Sequence, residues 1–303
     1  MIDMRSGGRI AWRISMSIQT NIQAHVESFP PTMRRVADAI LERPQIVLEN
    51  TITEFARACD TSEASIVRFC RSLGLTGYPQ LRLQLASELG KEAAEFGGGS
   101  ATYGADISPS DSLGEMVAKI AGSEILGIRE TADSIDMPTL ERVIRSVEGA
   151  RRVVLFGVGA SNAAAQDLAA KLLRIGHVAL VFHDAHDALV SVALLGSDDV
   201  AIAFSHNGRT TETVAFLRAA RNGGAHTVAI TNAPGSPLTQ HADEVLRTAV
   251  RETTFRSGAM ASRIAQLTIV DYVFVGVARG RYDRTVQALK STYEIVRELR
   301  DEG

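Results

Sequence analysis

The stretch Asp198–Thr213, DDVAIAFSHNGRTTET, decides the fold. Two acidic residues lead into an unbroken apolar run over residues 200–204, short enough for a strand buried on both faces of a parallel sheet. A polar turn from Ser205 to Thr210 follows at once and opens into the helical pattern of Val214, Leu217 and Arg218. The turn carries Ser205, His206, Asn207, Gly208, Arg209 and Thr210. A strand that feeds a helix through such residues turns backbone N–H groups and hydroxyls toward an anion. Read alone, the stretch is equally an ordinary strand-to-helix turn capped by Thr210 or Thr211. The weight therefore falls on whether the arrangement recurs.

It recurs upstream. Arg152 to Phe156 reads as a strand and runs into Gly157-Val158-Gly159-Ala160-Ser161-Asn162, followed by a helix through Ala165, Leu168, Ala169 and Leu172. Further short apolar runs lie at 177–182, 226–230 and 244–246, with helical stretches between them and two helices before them, at 113–134 and 138–147. Strands alternating with helices in this way predict a doubly wound parallel sheet, whose ligands sit at the carboxyl ends of the strands. Ser161 and the Ser205 turn both fall there. Gly157 and Gly159 also raise a dinucleotide-binding reading, with Asp184 as its acidic residue, but the third glycine of that fingerprint falls at Asn162. Two hydroxyl-bearing turns on two strands suit a phosphate monoester better than a pyrophosphate.

The first half of the chain carries no strand pattern. After sixteen residues without a clean period, a weak helix is expected over 17–29, and Thr32 is placed to cap a helix carrying Val36, Ala39 and Ile40 that ends before Pro44. Ile52, Phe55, Ala56 and Cys59 then form one stripe, and Ile66, Phe69, Cys70 and Leu73 a second, with Asp60-Thr61 between them and Ser62 as the cap of the second helix. Two short amphipathic helices joined this tightly predict a helix-turn-helix, and the turn needs a residue that tolerates a left-handed backbone, as Asp60 does. Opposite the second stripe lie Glu63, Ala64, Ser65, Arg68, Arg71 and Ser72, a face that meets base edges and phosphates if the helix enters a major groove and is otherwise a solvated surface. A helix from Pro79 through Leu81, Leu83, Leu85 and Leu89 closes this module, and Gly97-Gly98-Gly99-Ser100 opens the clearest linker. The expected organisation is an all-α helix-turn-helix domain over 17–96, a linker over 97–111 and an α/β domain over 112–303.

A chain of 303 residues with a net charge of -3 has room for two cores and carries no global sign of nucleic-acid or membrane binding. Cys59 and Cys70 lie on apolar stripes without histidine at metal spacing, which predicts core residues of a reduced protein and no metal site. No apolar run is expected to reach the length of a membrane span, and the N-terminus lacks the order of a signal peptide, so the expected compartment is the cytoplasm.

Taken together, these residues resemble a known family. Gly157-x-Gly159-x-Ser161 and Ser205-x-Asn207-Gly208-x-Thr210, each after a strand, are similar to the sugar isomerase (SIS) fold that binds phosphosugars. Residues 61–71, TSEASIVRFCR, resemble the helix-turn-helix of RpiR-type bacterial transcription regulators, and residues 255–267, FRSGAMASRIAQL, resemble the helix after the sheet in those regulators. The resemblance implies a homodimeric or homotetrameric regulator without a cofactor, binding a double-stranded DNA operator through Ser62, Glu63, Ala64, Ser65, Arg68 and Arg71. It also implies a phosphorylated sugar effector bound by Gly159, Ser161, Ser205, His206, Asn207, Gly208 and Thr210. Two departures stand out: Asn207 replaces the family's usual second serine, and Asp60-Thr61 replaces a glycine followed by an apolar residue. The alternative is a phosphosugar isomerase or lyase on the same fold, with His183, His206, Glu212 and Glu252 as candidate acid-base groups. A nucleotide sensor is a third reading, resting on the two glycines.

Overall fold

The computed structural model describes residues 17–95, 107–251 and 259–301. The expected linker, Glu252 and residues 255–258 fall wholly or largely outside these. The N-terminal part is six helices: α1 (Ile18–His25), α2 (Pro31–Glu42), α3 (Gln45–Glu49), α4 (Ile52–Ala58), α5 (Glu63–Ser72) and α6 (Tyr78–Glu95). The predicted stripes converge as expected, since Phe55, Ala56, Cys59, Ile66, Phe69, Cys70, Leu81 and Leu85 share one buried cluster with Ile18, Ile22, Val36 and Ile40. Burial pushes both thiols, Cys59 and Cys70, up to about 11, so neither is a thiolate at neutral pH. Leu83 departs from the expected pattern and points to solvent. Thr32 is not the cap of its helix: Pro30 holds the cap position and Pro31 the first turn, where a missing N–H costs nothing, so Thr32 lies inside α2.

The turn between α4 and α5 is left-handed at Asp60, with φ 48°. Arg35 of α2 reaches across to it: Nε donates to the Cys59 carbonyl at 3.1 Å and Nη2 to the Asp60 carbonyl. These are the orphan carbonyls at the end of α4, so Arg35 acts as a remote C-cap. Ser62 then caps α5 by accepting from the Ser65 amide at 3.3 Å.

After α7 (Leu113–Ser134) and α8 (Met137–Gly149) the chain alternates through β1 (Arg152–Gly157), α9 (Ala160–Arg174), β2 (Ala179–Val181), α10 (Ala185–Val192), β3 (Asp199–Phe204), α11 (Thr211–Asn222), β4 (His226–Thr231) and β5 (Glu244–Arg247). It ends in α12 (Met260–Gly280) and α13 (Tyr282–Asp301). All five strands are parallel in the order β2-β1-β3-β4-β5. One face of the sheet is buried under α8, α9 and α12, the other under α10 and α11, giving two apolar cores built from alternate residues of each strand. At the amino end of the sheet, Asp199 is fully buried and receives Arg151, Arg152 and the Gly196 amide. The Arg151 hydrogen bond holds its carboxyl well below the usual carboxylate range.

One expectation needs correction. Helix α12 is long and apolar enough to cross a membrane by length and composition. Its apolar side chains Ile269, Val270, Val273 and Val277 are instead buried in the sheet's core, and Gln266 and Ser262 are buried with them. The helix is apolar because it is packed between α7, α8 and α9.

The left-handed turn at Asp60 yields a direct expectation. Asp60→Gly should raise stability by about 0.5–1 kcal/mol, because relief of the left-handed penalty exceeds the added freedom of the unfolded chain. The fully exposed carboxylate lost with it, 3.9 Å from Arg35, contributes little. Denaturant unfolding of the two proteins measures the difference, and a lowered midpoint would show that the Arg35 pair outweighs the backbone.

Candidate functional site

Strands β1 and β3 are neighbours, with Gly157 opposite Phe204, so the turns that follow them open side by side. From β1 the chain moves outward to β2 on one side, and from β3 outward to β4 on the other. This divergence leaves a crevice at the carboxyl ends of β1 and β3, the switch point at which doubly wound sheets bind ligands.

The β1 turn is tight enough to require glycine twice. A Cβ on Gly157 would lie 2.9 Å from the backbone of Ser161, and Gly159 has φ 60° at the cap of α9. Asn162 locks the turn from below, donating to the carbonyls of Gly157 at 2.9 Å and Phe182 at 2.7 Å while accepting from Gln166. The Ser161 hydroxyl accepts from Gln266 Nε2 of α12 at 3.1 Å. Accepting this bond leaves the Ser161 hydroxyl its own proton to donate.

The β3 turn is built differently. Ser205 is buried, and its amide continues the ladder to Ile230 at 3.1 Å. Its hydroxyl lies 3.2 Å from that of Thr210 and 3.4 Å from Asn207 Oδ1. Asn207 Oδ1 also accepts from the Arg209 amide at 3.0 Å, which orients the side chain and leaves its NH₂ group outward as a donor. The carbonyl of His206 is anchored by Asn232 N at 2.9 Å and Thr231 Oγ1 at 3.0 Å. Gly208, at φ 62°, packs directly on Ser236. Its amide is spent on the Ser205 carbonyl at 3.2 Å, so the donors facing the crevice are instead the first-turn amides of α11, which have no intrahelical acceptor. Thr210 sits at the cap position of α11 yet makes no side-chain cap hydrogen bond; its hydroxyl faces Ser205.

Of the acid-base candidates for an isomerase, His206 is half-buried within the β3 turn, His183 and Glu212 are exposed, and Glu252 lies outside the described residues. The dinucleotide signature also dissolves: Asp184 is used to cap α10, accepting from the amides of His186 and Asp187, and Asn162 fills the turn where a third glycine would admit a pyrophosphate. Among the described residues no group of three or more His, Cys, Asp or Glu side chains could hold a metal ion.

On the helix-turn-helix, Ser62, Glu63, Ala64, Arg68 and Arg71 are exposed at the start and along one face of α5. Ser65 is not on that face. It is buried, contacts the Ser62 hydroxyl at 3.1 Å and accepts from Arg68 Nη2 at 3.0 Å, so it orients the arginine. Glu63 is tied to α4 through Thr53 at 2.6 Å. Arg35, Asn162, Asn232 and the contact of Gln266 with Ser161 had no signature in the sequence pattern, although Gln266 lies inside the 255–267 motif.

A helix-turn-helix module joined to a parallel sheet with paired hydroxyl turns defines the class of a transcriptional regulator with a sugar-isomerase-type domain. The comparisons agree: residues 16–92 match the helix-turn-helix domain of the rpiR family and residues 146–276 match the SIS domain. The chain belongs to the RpiR family of HTH-type transcriptional regulators. It is 37% identical to such a regulator of Caldanaerobacter subterraneus over 89% of this chain and 93% of that protein. It is 34% identical to YbbH of Bacillus subtilis over 92% and 96%. Among solved structures it is similar to the Vibrio vulnificus NanR protein complexed with ManNAc-6P, at 31% identity and a TM-score of 0.59, over 93% of this chain and 98% of that one.

The seat of Gly208 can be tested without a ligand. A Cβ there would come 2.0 Å from Ser236 Oγ, so Gly208→Ala should destabilise by about 1–3 kcal/mol. Ser236→Gly in the same chain should restore part of the loss, leaving the cost of the left-handed backbone. Thermal unfolding of the single and double variants measures both.

Proposed function

We propose that the chain is a DNA-binding regulator whose crevice between β1 and β3 binds a phosphorylated sugar, and that occupancy of this crevice alters its affinity for a double-stranded operator. The observation that carries the reading is the convergence of two turns on one anion site. Ser161, Ser205 and Thr210 supply hydroxyls, Asn207 supplies an amide, the first turn of α11 supplies backbone donors, and Gly159 and Gly208 keep side chains out of the way. His206 closes the turn through its carbonyl. The ManNAc-6P bound by NanR, a relative across nearly the whole chain, supports a phosphosugar as the ligand class.

The DNA-reading surface is the exposed face of α5, with Ser62, Glu63 and Ala64 at its start, Arg68 and Arg71 along it, and Ser65 as the support of Arg68. Paired reading helices fit a palindromic operator, so the acting species is a homodimer or homotetramer, working in the cytoplasm without a cofactor. The protein is not an enzyme in this reading, which the likeness to HTH-type transcriptional regulators over nearly the whole chain supports.

Two substitutions separate the functions. Arg68→Ala should weaken specific operator binding by about 1–3 kcal/mol if it reads a base, or flatten the salt dependence if it meets a phosphate. Gel shifts on the promoter region at several salt concentrations decide, and unchanged binding in both respects removes Arg68 from the interface.

Ser205→Ala should abolish the response to the phosphosugar while operator affinity without sugar stays as in the wild type. Operator titrations with and without ManNAc-6P check this. Loss of DNA binding in the absence of sugar would assign Ser205 to the fold or the oligomer, and a full response would move the effector site elsewhere.

A further inference from the structure

The two halves of the molecule keep separate apolar cores: one cluster ends at Leu85, and the others begin at Ile135. No helix before residue 96 packs broadly on an element after residue 107 among the described residues. Their junction is polar and centres on Arg251. Its Nε donates to Thr20 Oγ1 at 3.1 Å and its Nη2 to Ser17 Oγ at 2.9 Å, both at the start of α1; Nη2 also donates to Glu130 of α7 at 2.6 Å. Thr20 is fully buried and donates its own proton to Glu130, so the hydroxyl is used in both directions. A largely buried guanidinium with this many partners favours one geometry, because a shift strands a charge or a donor with little water to replace its partners.

Arg251 is itself placed from the effector side. The preceding residue, Val250, is clamped by the side chain of Asn232: its amide donates to Asn232 Oδ1 at 2.8 Å and its carbonyl accepts from Nδ2 at 3.2 Å. Asn232 is 3% exposed and follows β4, and its amide donates to the carbonyl of His206 at 2.9 Å. The β3 turn, Asn232, Val250, Arg251 and α1 are thus connected by hydrogen bonds and, between Val250 and Arg251, by the chain itself. On the far side, α1 shares the buried cluster of α2 and α5, whose Phe69 and Ile66 set the position of the DNA-reading face.

We propose that Asn232 and Arg251 are positioning residues that carry occupancy of the β3 turn to the helix-turn-helix module; this rests on the effector crevice proposed above. A ligand drawing the Ser205–Thr210 turn toward its phosphate shifts the His206 carbonyl. Asn232 follows the carbonyl, and Val250 follows Asn232. Arg251 then either keeps or releases Ser17 and Thr20, and with them the seat of α1. The two states differ in the hold of one guanidinium, which is the bistable element that linkage between two ligands requires.

The full-length protein tests this with Thr20→Val, which keeps the volume and the Arg251–Glu130 pair but removes the hydroxyl. Calorimetry with ManNAc-6P and operator titrations with and without it are run on both proteins. In the wild type the sugar should change operator affinity by about 5- to 150-fold. The variant should bind sugar alone and operator alone within about twofold of the wild type, and lose the change. A full change in the variant overturns the relay.

A second arm needs no sugar. Asn232→Ala should speed amide exchange in α1 relative to the wild type, and unchanged exchange there overturns the relay whatever ligand the crevice takes. Failure of the wild type to bind phosphosugar, with faster α1 exchange in Asn232→Ala, would instead sink the effector assignment and leave the relay standing. Arg251→Lys, which retains the charge but not the forked geometry, serves both arms if either variant fails to fold.

Discussion

The effector site proposed for this protein depends on the pairing of β1 with β3. Because β1 lies between β2 and β3, the segments leaving its carboxyl end and that of β3 diverge, and the turns after the two strands open side by side. The turns are short, each is forced by a glycine at positive φ, and each presents a hydroxyl that is already oriented by a neighbour. Hydroxyls held this way are arranged before any ligand arrives, so little ordering remains to oppose the binding proposed.

The same economy governs the rest of the C-terminal half. The apolar strands can be buried on both faces only if helices cover both, and the price of that burial is paid at the sheet's ends, where backbone and charged groups must find partners. At the amino end Asp199 gathers Arg151, Arg152 and the Gly196 amide. At the carboxyl end Asn162 and Asn232 satisfy carbonyls and amides of several segments at once. Asn232 also ties the β3 turn to Val250, the neighbour of Arg251 in the polar junction.

In the N-terminal half, positioning again falls to polar side chains acting across elements. Arg35 holds the end of α4, Ser65 holds Arg68, and Arg251 holds the start of α1. A helix-turn-helix reads DNA only if its second helix keeps a constant attitude, and short helices around one small core need such ties.

The alternation of strands and helices after residue 150, the buried strand at 200–204, the two hydroxyl turns and the left-handed residue at Asp60 were all legible in the sequence, because periodicity, strand length and turn chemistry are local and leave their pattern in consecutive residues; α3 and α13 were not read. The cap of α2 was misread because two prolines in succession outcompete a threonine for the first turn. The membrane-span length of α12 was missed because Ser262, Arg263, Gln266 and Asp271 break its apolar residues into short runs, although its composition as a whole is that of a span. Only the tertiary structure decided that β1 pairs with β3, that Ser65 turns inward, that Gln266 reaches Ser161 and that Arg251 reaches Thr20. The last two contacts join residues 105 and 231 positions apart. A hydrogen bond between such distant residues needs only one donor and one acceptor brought together by packing, and so it leaves no repeating mark on the chain.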